Sequence, residues 1–201
     1  MPDRFGGGVP DGFPEWDAKD RELRRSIGTA CLIALVGQRG TGKTQMAASV
    51  CLYAFTRAAL NEPPEVSTYT GDHWQLHYER DKRIRSDTVW AARYTTVLDM
   101  FADIRMNNLA SGESSAIAKW VRPGLLVIDE AQERGDTEFE QRVLTNLIDK
   151  RYGMMKDTII ISNLDPEALG KSLGPSIMSR MQETGKIIVC DWPSFRAKGN
   201  P

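Results

Sequence analysis

The sequence is poor in what secreted, membrane-embedded and metal-holding proteins rely on. Cysteine occurs three times, at Cys31, Cys51 and Cys190, scattered and odd in number. No pair has metal-ligand spacing, and a disulfide framework is not expected. Histidine occurs twice, at His73 and His77. Their spacing puts both on one helix face, but no glutamate follows the first and no third ligand is near, which argues against a metal site. No apolar run approaches the length of a membrane span. Gly6-Gly7-Gly8 and two acids stand where a signal peptide needs a basic and then an apolar region. The net charge of −1 removes a global electrostatic case for nucleic acid and leaves only local patches. These absences predict a cytoplasmic protein with reduced thiols and no membrane partner.

What is present suits one α/β domain. The 201 residues, with 41% hydrophobic and 26% charged, are enough to bury a proper core. Residues 1 to about 16, rich in Gly, Pro and Asp, read as an irregular arm, and Asp17 is placed to cap a short helix through Arg25. Cys31-Leu32-Ile33-Ala34-Leu35-Val36, Leu125-Leu126-Val127-Ile128 and Thr158-Ile159-Ile160-Ile161 are short apolar runs that end sharply. Such runs predict strands buried on both faces. Gly185 to Cys190 reads as a last strand, and Thr88 to Ala92 as a candidate one. Helical spacing predicts helices from Lys43 to about Ala59, from Val97 to about Asn108 and from Glu138 to Arg151, with short ones after Asp165 and from Pro175 to Met181. Asn107 through Ser115 is polar and reads as a loop. Apolar strands alternating with helices predict a parallel sheet sandwiched by helices.

The chemistry concentrates after the first strand. Gly37-Gln38-Arg39-Gly40-Thr41-Gly42-Lys43-Thr44, followed by Gln45, matches the Walker A pattern between a buried strand and a helix. Glycines let the chain curl so that backbone N–H groups converge on phosphate oxygens, and the helix aims its positive end at the same anion. Lys43 is placed to reach the β- and γ-phosphates of ATP, and the Thr44 hydroxyl to bind Mg²⁺. Leu125 to Ile128 runs into Asp129-Glu130, an apolar strand ending in acids, which is the Walker B arrangement. Asp129 is expected to hold Mg²⁺ and Glu130 to orient the attacking water. This pairing favours ATP hydrolysis over phosphoryl transfer to a metabolite. The third strand ends in Ser162-Asn163, where Asn163 either touches the γ-phosphate and lytic water or caps the next turn.

Several ordered blocks give the chain a family likeness: Gly40-Thr41-Gly42-Lys43-Thr44, Leu126-Val127-Ile128-Asp129-Glu130, Leu147-Ile148-Asp149-Lys150-Arg151-Tyr152, Ile161-Ser162-Asn163-Leu164, Ser176-Ile177-Met178-Ser179-Arg180-Met181 and Cys190-Asp191-Trp192-Pro193-Ser194-Phe195-Arg196. From about residue 29 onward the chain resembles the AAA+ ATPases of the DnaC and DnaI helicase-loader group, with IstB-like transposition helpers as relatives. The resemblance implies an AAA+ core over residues 27–201, with residues 1–26 as an irregular N-terminal arm and a minimal or absent C-terminal lid. It places Asn163 at the sensor 1 position, Arg180 at the arginine finger that completes a neighbour's ATP site, and Arg196 at a second sensor. It thereby implies self-association through the ATP sites. It also implies single-stranded DNA as a ligand, with Arg105 on the helix after residue 95 and Phe139 as contact candidates, although Phe139 fits the core of its own helix equally well. A hexameric replicative helicase is the implied partner. The roughly thirty residues before the first strand are shorter than the family's separate docking domain, which leaves that partnership open. The alternatives are an IstB-like helper acting on duplex DNA with a transposase, and a nucleotide-gated module with little hydrolysis. The stretch from Val66 to Asp87 interleaves Trp74 and Tyr78 with Arg80, Lys82, Arg83 and Arg85, and reads either as a binding segment or as a solvated surface. Trp16, Trp120 and Trp192 are expected to pack or to anchor loops.

Overall fold

The computed structural model describes residues 13–59, 92–135 and 137–195. The arm over residues 1–12, the stretch from Val66 to Asp87 with His73 and His77, the first residues of the strand expected at Thr88, and Arg196 lie outside the described residues.

Thirteen elements are described in the order α1 (Pro14–Ser26), β1 (Leu32–Val36), α2 (Lys43–Ala59), β2 (Ala92–Thr96), α3 (Val97–Ser111), α4 (Glu113–Val121), β3 (Leu125–Asp129), a short 3₁₀ turn (Ala131–Glu133), α5 (Glu138–Gly153), β4 (Asp157–Ile161), α6 (Pro166–Leu173), α7 (Pro175–Thr184) and β5 (Lys186–Val189). The five strands form one parallel sheet in the order β2-β3-β4-β1-β5. The apolar runs form its centre, and β1, β3 and β4 are buried throughout because helices cover both faces.

Alternate strand residues feed two separate cores. Ala34, Val36, Leu126, Ile128 and Ile160 pack against α3 to α7. Ile33, Leu35, Leu125, Val127, Ile159 and Ile161 pack against α1 and α2. Each fully buried aliphatic side chain contributes roughly 1.5–3 kcal/mol of hydrophobic free energy, so the sheet is held from both sides rather than by its ladders alone. Side chains of Thr96, Thr137 and Asp165 accept hydrogen bonds from Asp99 N, Glu140 N and Ala168 N and thereby start α3, α5 and α6.

Three expectations from sequence change. Of the arm assigned to residues 1–26, Pro14–Ser26 is helical and belongs to the domain, with Trp16 and Leu23 in the core beside α2. Pro14, not Asp17, opens that helix. The polar stretch from Asn107 to Ser115 is not a loop: α3 continues to Ser111 and α4 begins at Glu113, with Gly112 between them. Ala116, Ile117, Trp120 and Val121 bury α4, while the polar residues of the junction face outward, which is why composition alone suggested a loop.

Candidate functional site

Parallel sheets present their ligand crevice beyond the carboxyl ends of the strands. Here the loop after β1, Glu130 after β3, and Ser162 and Asn163 after β4 all emerge at that edge.

The loop from Gly37 to Gly42 turns through three positive-φ glycines, at 133° for Gly37, 85° for Gly40 and 80° for Gly42. Two of these are also places of close approach. A Cβ on Gly37 would sit 2.3 Å from the Cys190 carbonyl oxygen, and one on Gly42 would sit 2.6 Å from the Phe195 ring and 2.8 Å from Trp16 Nε1. The carbonyls on the outside of the loop are held by groups from both ends of the described chain. Phe195 N donates to Gly40 O at 2.8 Å, Trp192 Nε1 to Thr41 O at 2.9 Å and Trp16 Nε1 to Gly42 O at 3.4 Å. Phe13 meets Phe195 edge-on, 4.6 Å between ring centres, and closes this clasp. A glycine curl held in this way, opening onto the N-terminus of α2, is the kind of concavity that receives an anion. Trp16 and Trp192 do anchor a loop, but their partners stand 26 and 151 residues away, so no local pattern pointed to it.

Lys43 begins α2 and is 5% exposed. Its Nζ donates to Gly37 O at 2.6 Å and Gln38 O at 2.7 Å, so the ammonium lies within the curl. Burial lowers its pKa from the ordinary value, partly opposed by Cys190 and Asp129. Thr44 and Asp129, 85 residues apart, meet at this point: Thr44 Oγ1 donates to Asp129 Oδ2 at 2.7 Å. Glu130 N donates to Asp129 Oδ1 at 2.6 Å. Tyr94 Oη donates to Asp129 Oδ2 at 2.6 Å. Burial first, then the Asp129 carboxylate, pushes the tyrosine pKa far above its usual value, so the phenol stays a donor. Sequence reading missed Tyr94, because nothing in a strand pattern tells which neighbour a phenol will reach. Glu130 is exposed and left-handed, with φ of 55°, a conformation that costs a non-glycine residue about 1–2 kcal/mol.

The remaining candidates separate. Asn163 N donates to Gln132 Oε1 at 3.0 Å, which links the end of β4 to the turn after Glu130. Gln38 and Arg39 are exposed at the loop tip, and Arg39 pairs with Glu133 at 3.1 Å. Gln45 is half-buried on the first turn of α2. Arg180 is not brought to its own loop. Its guanidinium meets Ser176 Oγ at 2.6 Å, Asp149 Oδ1 at 3.0 Å and the Tyr152 ring at 5.6 Å. Phe139 is partly buried against the core, and Arg105 and Arg142 lie over its ring at 5.8 and 5.7 Å. Arg105 is also paired with the buried Glu140.

The donor set suits Mg²⁺: a hydroxyl and a carboxylate side by side, hard oxygens at the foot of an anion-receiving loop. Among the described residues no group of three or more His, Cys, Asp or Glu side chains forms an alternative metal site, and no helix is long and apolar enough to cross a membrane.

No protein-family model matches the chain. In sequence it is similar to the replicative helicase loader DnaC of Escherichia coli strain K12, 21% identical over 163 residues, covering 81% of this chain and 55% of that protein. The chain thus spans about half the length of the curated relatives it matches. In fold it is similar to a crystal structure of the DnaC helicase loader, with a TM-score of 0.62 at 15% identity, covering 92% of this chain and 94% of that one. It is also similar to AMPPCP-bound DnaA from Aquifex aeolicus, with a TM-score of 0.61 at 17% identity, covering 91% of this chain and 47% of that one. The chain therefore resembles the DnaC helicase loaders in sequence and has the AAA+ P-loop fold of DnaC and DnaA.

Proposed function

We propose that this chain binds ATP with Mg²⁺, hydrolyses it, and uses the cycle in DNA replication in the manner of a helicase loader. The carrying observation is the meeting of Thr44 and Asp129 beneath a glycine loop that encloses Lys43, with Glu130 next in sequence at the exposed edge.

In this reading the N–H groups of residues 38–44 and the N-terminus of α2 bind the phosphates. The Lys43 ammonium exchanges its two carbonyl partners for phosphate oxygens. Thr44 and Asp129 hold Mg²⁺, which when bound neutralises charge on the phosphates. Glu130 orients water and accepts its proton as the water oxygen bonds to the γ-phosphorus. The bond from the γ-phosphorus to the bridging oxygen breaks, and ADP leaves with the electron pair. Asn163, tied to the Glu130 turn through Gln132, reports on the γ-phosphate from β4. Arg180 is the proposed arginine finger for a neighbouring subunit, a role in which it would leave Asp149 and Ser176 of its own chain. Arg196 is the proposed second sensor. Single-stranded DNA is the proposed nucleic acid, contacted near Arg105 and Phe139, and a hexameric replicative helicase is the proposed protein partner.

Phosphate release from Mg·ATP by the native chain, Glu130→Gln and Lys43→Ala tests the core. Nucleotide binding should survive in Glu130→Gln and weaken about 100-fold in Lys43→Ala, with turnover lost in both. Native turnover no higher than that of Glu130→Gln would reduce the protein to a nucleotide-gated module. Mass measurement with ATP, with and without a single-stranded oligonucleotide, tests assembly. A pull-down with the cognate helicase that fails in every nucleotide state would sink the loader reading.

A further inference from the structure

Asp129 is held by three donors, and they come from three different elements. Thr44 on α2 and Tyr94 on β2 both donate to Oδ2, and the backbone of Glu130 donates to Oδ1. The strand register explains how Tyr94 arrives there. Tyr94 pairs with Val127 and Thr96 with Asp129, so Tyr94 starts two residues behind the carboxylate on the same face, the one covered by α2. Two residues of strand rise about 6.6 Å, a distance that a phenol laid along the strand spans from its own Cα. A serine or threonine at 94 would fall short of it.

The three donors are not equivalent once the site is used. The Thr44 hydroxyl would also present an oxygen lone pair to Mg²⁺, so its geometry toward Asp129 would be shared with the metal. The Glu130 amide holds only Oδ1, and it belongs to a left-handed residue just beyond the end of β3. Tyr94 alone is fixed by a strand that pairs with β3 along its whole length. We propose that Tyr94 is a positioning residue for the metal site: its hydroxyl fixes the rotamer of Asp129 through the nucleotide cycle and so sets how much Mg²⁺ the site requires. The inference rests on the nucleotide-site reading above and adds to it a residue that the Walker motifs do not contain.

The test is a Mg²⁺ titration of fluorescent, non-hydrolysable ATP-analogue binding by the native chain and by Tyr94→Phe. The phenylalanine keeps the ring in the core and removes only the donor. Nucleotide affinity without Mg²⁺ should be the same within about twofold. The Mg²⁺ concentration at half-effect should rise about tenfold, the equivalent of ~1.4 kcal/mol and the scale of a hydrogen bond to a charged group. Saturating Mg²⁺ should restore native affinity, which a general loss of structure does not allow. Replacing Tyr94 with 4-aminophenylalanine, which retains a para N–H donor, should return the midpoint toward the native value. Equal midpoints for the native chain and Tyr94→Phe, or no rescue by the amine, overturn the role of Tyr94. Absence of any nucleotide binding by the native chain overturns the site reading itself, and this inference with it.

Discussion

The two ends of the sheet treat charge in opposite ways. At the carboxyl end Glu130 stands exposed in a left-handed conformation, and Lys43 is bound only to carbonyls of its own loop. At the amino end Arg151 is 1% exposed and makes six hydrogen bonds, to Thr158 Oγ1 and to the carbonyls of Trp120, Val121, Pro123, Gly124 and Asp157. Asp157 accepts from Gly28 N at 2.7 Å and Cys31 N at 3.0 Å, which pins the turn that leads into β1. Burial lowers the Arg151 pKa to about 10 and raises that of Asp157 to about 6. Both ends therefore contain buried charge. The amino end consumes its polar groups internally and carries structure, whereas the carboxyl end leaves groups whose partners a ligand can replace.

That contrast is testable by mutating each end in turn. Arg151→Leu removes the charge but strands five carbonyls, and it should cost about 4 kcal/mol in urea denaturation. The stability should also report Asp157. Its folded pKa is raised from 3.8 to about 6, so the folded state binds the extra proton between these values. Stability from this group is accordingly greatest below pH 4, falls as pH rises through the window by about 3 kcal/mol, and is flat above it. Asp157→Asn should flatten that slope in melts recorded across pH 4 to 7. Lys43→Ala at the other end should weaken ATP-analogue binding about 100-fold, equivalent to ~2.7 kcal/mol, yet lower folding stability by only about 1 kcal/mol, well short of the Arg151→Leu loss. A loss of stability like that of Arg151→Leu would erase the distinction between the ends. Smallest in size, Glu130→Gly should raise stability by about 1 kcal/mol through relief of the left-handed strain, while turnover falls to the Glu130→Gln level. A stability loss there would show that Glu130 makes compensating contacts.

Much of the fold was legible because its signals are local. The apolar runs of β1, β3 and β4 and the helical spacing of α2 and α5 required no knowledge of distant residues, and their bounds differ from expectation by at most two positions. The Walker segments were readable for the same reason, since a phosphate loop and a strand ending in Asp129 are contiguous motifs. The junction at Gly112 was misread because polar surface residues on two short helices look like a loop until the buried Ala116 and Ile117 are seen against α3 and the sheet. Arg151 illustrates the harder case. Nothing in its helix sets it apart from the adjacent Lys150, and only the neighbouring carbonyls of the segment from Trp120 to Gly124 show it to be a buried hub. Tyr94 was missed likewise, and Trp192 was expected to pack or anchor a loop without its partner being named, for their hydroxyl and indole partners lie 35 and 151 residues away.

The sequence by itself determined which groups are available to chemistry: the glycines that permit the loop, Lys43, Thr44, Asp129 and Glu130, and the apolar strands that carry them to one edge. Local backbone preference and side-chain periodicity suffice for that. The tertiary structure alone decided which other groups support them. Parallel pairing laid Tyr94 beside Asp129, and the docking of α1 and of residues 190–195 placed two indoles and an aromatic pair around the loop. Those contacts depend on how separate segments pack, and no spacing along the chain encodes them.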